Sequence, residues 1–282
     1  GHPCPKNEWP QPRALPMVAH HTTRQKERAM DLGLKDKKAI LVGANGGIGR
    51  QVALALAAEG CHVAVCGRTQ AKVDKIVGEL APSGVTVYAE ALNVTDAEAV
   101  PAFVDKAAEA LGGCDIFISF TSANLGEDSD AGWDAVMQAD ILPMRRGVAA
   151  AKPYLLKSDA GSIICMSSTG AVEEFMGVQP YNALKAAVMV YSSDLSQALA
   201  PQGVRVNCIT PGPIMTEDGP WTYIKNNMTP FYESTLAKIP IGRMATGEEL
   251  ARAIVFVASP ACMAMTGANI VVDGGYTKRV QF

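Results

Sequence analysis

Tyr181 and Lys185 stand four positions apart in Tyr181-Asn-Ala-Leu-Lys185, at the opening of an apolar stretch. On a helix that spacing puts both side chains on one face, one turn apart. An ammonium close to a phenol favours the phenolate. A phenol so placed can exchange a proton with an alcohol or carbonyl oxygen, while a nicotinamide exchanges hydride with the carbon. A tyrosine and lysine at this spacing are common and mean little alone. Here they follow, in chain order, a glycine-rich turn and a strand-like run Ser162-Ile-Ile-Cys-Met166 that ends in Ser167-Ser168, thirteen residues before the tyrosine.

The glycine turn reads Gly43-Ala-Asn45-Gly-Gly47-Ile48-Gly49 and follows the apolar run Ala39-Ile-Leu-Val42. Glycines between a strand and a helix allow a tight turn and let a pyrophosphate approach the backbone at the positive helix N-terminus. The spacing is G-x-x-x-G-x-G rather than the commoner G-x-G-x-x-G. An acid about 20 positions further on would bind the ribose 2′-hydroxyl. The second strand-like run ends Val65-Cys66-Gly67-Arg68-Thr69, however, and no carboxylate comes before Asp74. A carboxylate would repel a 2′-phosphate, whereas Arg68 is suited to pair with one bidentately. The alternative for Arg68 is a solvated charge at a helix start. The missing acid favours NADP, with NAD as the second choice.

These groups need elements to hold them. Apolar, strand-like runs occur at 38–43, 61–66, 85–90, 114–120, 161–167, 203–209 and 268–272. Amphipathic stretches lie between them, at about 47–59, 70–80, 96–111, 131–156, 180–200 and 247–258. Strands alternating with helices of this length predict an α/β fold, a single doubly wound parallel sheet with helices on both faces. The strands are near-continuous apolar runs, as doubly covered strands should be. An irregular insert is expected at about 212–246, before the last helix. Residues 1–29, with five prolines in the first sixteen positions, lack periodicity and read as a leader or extension outside a fold that spans 30–282.

Composition removes other functions. The chain has 282 residues, 48% of them apolar and 19% charged, with a net charge of −3. That balance offers no basic face to a nucleic acid. The longest apolar run, Ala253 to Gly267, is broken by Ser259, Pro260 and Thr266 and falls short of the roughly 18 residues of a membrane span. The seven cysteines are odd in number and form no C-x2-C pair. They read as reduced, buried thiols of a cytoplasmic protein rather than a disulfide framework. After residue 30 only one histidine, His62, remains, so a Ser-His-Asp hydrolase or a histidine-rich zinc site lacks its parts and no metal is expected.

Taken together, Gly43-x3-Gly47-Ile48-Gly49, Ser168 with Tyr181-x3-Lys185, Arg205-Val-Asn207, Pro211-Gly212 and Val272-Asp-Gly-Gly275 resemble the short-chain dehydrogenase/reductase family of roughly 250 residues, from about Lys35 to Gly275. The resemblance implies a Rossmann-like fold of about seven strands and an NAD(P)-dependent alcohol dehydrogenase or carbonyl reductase. It implies that Ser168 orients the substrate oxygen, Tyr181 is the acid/base, and Lys185 holds the nicotinamide ribose and tunes Tyr181. Pro211, Gly212, Ile214 and Thr216 would border the nicotinamide, and Asn93 and Val94 the adenine. It also implies a homotetramer, with the helices at 131–156 and 180–200 paired across dimer interfaces.

This chain departs from the family pattern at three places. Ser119-Phe120-Thr121-Ser122 replaces Asn-Asn-Ala-Gly after the fourth strand, where Thr121 would meet the adenine ribose. Asn93 replaces the Asp near the adenine amino group, its amide oxygen remaining an acceptor. Asp140 replaces the Asn of the catalytic tetrad. Pro143 lacks an N–H and crowds the carbonyl of Ala139, which predicts a helix bent around 139–143. An ionised Asp140 near Lys185 would partly cancel the lysine's field on the tyrosine.

The expected partner is a small-molecule alcohol or ketone. Trp221, Tyr223, Phe231 and Tyr232 crowd the insert of a chain that is only 6% aromatic. They suit either a lid over an apolar or ring-bearing ligand, which Phe175 and Met176 would also line, or a helix pair packed on the core or a neighbouring subunit. A ketoacyl thioester on a carrier protein is the alternative substrate, although no clear basic docking cluster is visible. A catalytically weak, cofactor-sensing binding protein is the alternative class; it draws on the departures at 119–122 and 140.

Overall fold

The computed structural model of the protein describes residues 30–123, 126–278 and 280. The extension at 1–29 therefore lies outside the described residues. Strands β1 (Lys38–Val42), β2 (His62–Gly67), β3 (Val87–Ala91), β4 (Ile116–Ser119), β5 (Ser162–Met166) and β6 (Arg205–Pro211) are followed by short β7 (Ile214–Met215) and β8 (Ala245–Thr246), then β9 (Asn269–Val272). Seven of them form one parallel sheet in the order β3-β2-β1-β4-β5-β6-β9. After β3 the chain returns to the other side of β1, and that reversal opens a crevice beyond the carboxyl ends of β1 and β4.

Both faces are covered. Alternate side chains of β1 go opposite ways, as a pleated strand requires. Ala39 and Leu41 join a core with helices α1 (Gly47–Ala58), α2 (Gln70–Leu80) and α9 (Gly247–Ala258). Ile40 and Val42 join a second core with α3 (Ala99–Leu111), α5 (Leu142–Leu155) and α6 (Pro180–Leu199). The remaining helices are α4 (Asp130–Val136), α7 (Pro220–Asn227) and α8 (Thr229–Leu236). Arg205 is buried and donates to the carbonyls of Val257, Ala258 and Ser259 at 2.8, 2.9 and 3.1 Å. It thus satisfies the end of α9 and ties that helix to β6.

The helical stretch expected at 131–156 is interrupted. Met137–Ile141 forms a π-type turn between α4 and α5. Pro143 accounts for it: the proline offers no N–H to Ala139 and its ring crowds that carbonyl, so the winding widens just before it. The stretch at 212–246 takes regular structure in short pieces. β7 pairs with β8 through Ile214 with Ala245 and Met215 with Thr246, while α7 and α8 pack a small core of Trp221, Ile224, Ile239 and Met244.

Candidate active site

A cavity of about 360 Å³ opens at the carboxyl end of the sheet. One wall is the glycine turn, with Gly43, Gly47, Ile48 and Gly49; a second is Ser168, Tyr181 and Lys185; a third is Pro211, Gly212, Ile214 and Thr216. Ser168 stands two residues past the end of β5, and Pro180 in the first turn of α6 starts the helix that presents Tyr181 and Lys185. Ser167 donates its hydroxyl to the Lys185 carbonyl at 2.8 Å, pinning the end of β5 to that helix. The Ser168 oxygen accepts from the Gly170 N–H at 3.2 Å, which leaves its own O–H as a donor.

Lys185 is only 5% exposed. Its ammonium donates to the Met166 carbonyl at 3.1 Å, lies 3.2 Å from Asp140 Oδ2 and stands 5.5 Å from the centre of the Tyr181 ring. Burial pulls its pKa down, but Tyr181 and Asp140 together outweigh burial and hold it above the ordinary lysine value. The ion pair and the carbonyl contact hold the ammonium beside the phenol. Asp140 comes from the π-type turn, and its Oδ1 accepts from the Ala123 N–H at 2.6 Å. One carboxylate thus joins helix α6 to the segment that leaves β4.

The glycine turn has the shape that a dinucleotide needs. Gly43 has φ +75°, and a Cβ there would come within 2.9 Å of Thr121 Cγ2. A Cβ at Gly49 would lie 2.7 Å from the Ala44 Cα, so the start of α1 could not pack this close to the turn. Bare backbone is left facing the cavity at a helix N-terminus, which fits a pyrophosphate.

Six expected residues, Asn45, Arg68, Asn93, Val94, Thr121 and Asp140, do not line this cavity. Asp140 stands behind Lys185. Arg68 is exposed just past β2, and Asn45 sits over Gly67. Thr121 Oγ1 is 3.2 Å from Ser119 Oγ, and Val94 packs on the core beneath the sheet. Asn93 closes its own turn. Its amide oxygen accepts from the Thr95 N–H and hydroxyl at 3.2 and 3.0 Å, because the side chain is short enough to reach them.

Other lining residues carried no local signal. Asp218 Oδ1 accepts from the Gly47 N–H at 2.9 Å, and Oδ2 is 3.2 Å from Lys72 Nζ. Partial burial works against this carboxyl's charge, but the Gly47 N–H and the Lys72 ammonium hold its pKa below the usual value. Tyr276 reaches the cavity because Asp273 folds Val272-Asp-Gly-Gly275 back on itself, accepting from the N–H groups of Gly275 and Thr277, each at 2.8 Å. Burial pushes the Cys66 and Cys165 thiols up to about 12.

A family model described as enoyl-(acyl carrier protein) reductase matches residues 43–277. This chain belongs to the short-chain dehydrogenase/reductase family. It is 35% identical to isoepoxydon dehydrogenase of Aspergillus clavatus over 255 residues, covering 88% of this chain and 98% of that one. It is 31% identical to dehydrogenase/reductase SDR family member 4 of Oryctolagus cuniculus over 252 residues, covering 88% and 96%. The crystal structure of L-sorbose reductase from Gluconobacter frateurii complexed with NADPH and L-sorbose matches with a TM-score of 0.82 at 30% identity, over 89% of this chain and 100% of that chain. The seven-stranded parallel sheet is the fold of this family, and the chain is an NAD(P)-dependent oxidoreductase acting between alcohol and carbonyl.

Proposed function

We propose that the protein is an NADP-dependent carbonyl reductase and alcohol dehydrogenase for a small, uncharged, apolar or ring-bearing substrate. One observation carries this reading: Ser168, Tyr181 and Lys185 converge on a cavity whose opposite wall is a glycine cradle. When bound there, the nicotinamide supplies or takes up the hydride at carbon.

The protein's own residues handle the oxygen. Ser168 donates its hydroxyl to the substrate oxygen and fixes the carbonyl against Tyr181. In reduction the Tyr181 O–H gives its proton to that oxygen as the carbon receives hydride, and in oxidation the phenolate takes the proton back. Lys185 stabilises the phenolate through space, and Asp140 holds the ammonium in place by the 3.2 Å ion pair. Pro211, Gly212, Ile214 and Thr216 would border the nicotinamide end, Asn93, Val94 and Thr121 the adenosine end, and Arg68 would pair with the 2′-phosphate. The NADPH held by the sorbose reductase supports the choice of NADP.

Phe175, Trp221, Ile224 and Tyr276 wall the substrate end. Phe175, Trp221 and Phe231 pack mutually with ring centres 6.0 to 6.2 Å apart, Trp221 and Phe231 being stacked at 8°. Among the lining residues only Lys185 and Asp218 carry charge, and neither lies on this wall. An uncharged substrate matches such a surface.

The full reading is a homotetramer of 30–282 domains acting in the cytoplasm. The six cysteines among the described residues, all buried and free, support the reducing compartment. Val190, 64% exposed on α6, supports the burial of that helix against another subunit. NADPH consumption across a panel of ketones tests the activity. Turnover of cyclic and aryl ketones supports it, and no consumption with any uncharged ketone refutes it.

A further inference from the structure

We propose that Asn182 is a positioning residue for the substrate: its amide holds the loop that sets the Phe175 ring on the substrate wall. Phe175 lies between the turn after β5 and helix α6, and its ring packs against Trp221 and Phe231 with centres 6.1 and 6.2 Å away. Residues 174–178 make no backbone–backbone hydrogen bond with a described residue. Side chains hold this main chain instead. Asn182 Nδ2 donates to the Phe175 carbonyl at 2.9 Å, and Gln179 Nε2 donates to the Met176 carbonyl at 2.8 Å. Glu174 Oε1 accepts from the Gly177 N–H at 2.8 Å.

Both amides come from one helix start. Gln179 caps the N-terminus of α6 and Asn182 stands three positions on, next to Tyr181. The loop is thus fastened to the helix that presents the acid/base phenol. Both amide oxygens are buried and accept from no described residue. A buried acceptor without a partner works against folding, so the place of each amide is set by what its NH₂ holds. The loop is also bent in a way that it does not favour by itself: Met176 has φ +58° and Gly177 φ +81°. The left-handed region is uncommon for a residue with a side chain and persists where its surroundings enforce it. Without the Asn182 amide the Phe175 carbonyl keeps only the 3.4 Å contact of Gln179. The bend then relaxes, the ring withdraws from Trp221 and Phe231, and the substrate wall opens. This inference rests on the ring-bearing substrate proposed above.

The test is the steady-state reduction of acetophenone by NADPH on the full chain. Wild type is compared with Asn182→Ala, Phe175→Leu and the double variant, each first shown folded by circular dichroism. Asn182→Ala should raise KM for acetophenone about tenfold with a smaller change in kcat, because the wall binds ground state and transition state alike. In the Phe175→Leu background the same substitution should change KM by less than about twofold, since Asn182 acts through the ring. If Asn182→Ala does not fold, Asn182→Asp takes its place in the cycle, with the same shape and an oxygen where the donor stood. An unchanged KM, a loss confined to kcat, or an equal rise in both backgrounds overturns the role of Asn182 and leaves the proposed function standing. No turnover of acetophenone by wild type overturns the ring-bearing reading, and this proposal with it.

Discussion

Asp140 Oδ2 lies 3.2 Å from Lys185 Nζ, with the two side chains 0% and 6% exposed. The pair links a π-type turn to the helix of the acid/base tyrosine. The carboxylate raises the charge persistence of the ammonium while opposing the field that the ammonium exerts on the phenol. Asp140→Asn keeps an acceptor for the Ala123 N–H and removes only the opposing charge. The optimum for alcohol oxidation should then fall. Profiles of kcat/KM against pH for the two proteins decide this, and coincident curves would show that Asp140 has no electrostatic hold on the site. Asp140→Ala, which strands a buried ammonium, should cost about 3 kcal/mol in urea unfolding. Because the folded pKa of Lys185 is raised, the stability carried by its charge is present below the ordinary lysine value of 10.5 and is lost as pH climbs through the raised folded value.

Tyr181→Phe keeps the ring that lies against Lys185 and deletes the proton. Turnover should fall by about 10²–10⁴-fold, the usual worth of a positioned acid/base. Dinucleotide affinity should stay near the wild-type value, because the glycine turn and Lys185 are untouched. Fluorescence titration with NADPH alongside single-turnover kinetics separates the two effects. A variant that keeps more than a tenth of the wild-type rate contradicts proton transfer by this phenol.

The sheet was legible because its strands are buried on both faces and so appear as apolar runs between amphipathic ones. The Tyr181 and Lys185 pair was legible because both belong to one helix, where spacing alone fixes direction. Pro143 announced the break that carries Asp140, since a missing N–H acts locally. The contact between Asp218 and Gly47 spans 171 positions and had no such signal. Asn45 lies over Gly67 only because the sheet sets β1 beside β2, so their proximity is a property of the fold. In α7 and α8 the segments are eight residues each, opened by Pro220 and Thr229-Pro230, too short for a period to declare itself. The Asn93 contact with Thr95 lies within one turn and is the kind of local closure that a short amide side chain makes by itself.

Acid should expose the cap of α9. Thr246 and Glu249 form a reciprocal capping box, and Arg243 pairs with Glu249 at 2.6 Å. The hydrogen bond from Arg243, followed by that from the Thr246 N–H, lowers the Glu249 carboxyl from 4.5 to about 2. A depressed carboxylate stabilises the fold above its unfolded value, and that contribution disappears as pH falls towards 2. Glu249→Gln should therefore lower Tm at neutral pH, with the gap from wild type closing between about pH 4.5 and 2. Melting curves across that range check it, and a gap that persists unchanged at the acid end would show that the ion pair is not its source.

Asp218 bridges the two rims of the cavity. Its carboxylate takes the Gly47 N–H at the start of α1 and the Lys72 ammonium of α2, while the chain just beyond it enters α7. A helix N-terminus that faces a phosphate site prefers an anion, and here an internal carboxylate already satisfies it. An incoming pyrophosphate must part this contact or pass beneath it, and it meets a like charge while doing so. Asp218→Ala should accordingly raise the association rate of NADPH several-fold, with the larger gain at low salt, where charge repulsion is least screened. Asp218→Asn separates the components, since its amide oxygen still accepts from Gly47 while the repulsion is gone. If repulsion dominates, Asn matches Ala; if the tether dominates, Asn stays near wild type. Stopped-flow quenching on mixing with NADPH measures all three, and an association rate unaltered by either substitution would show that the strap opens freely and Asp218 does not guard the entrance.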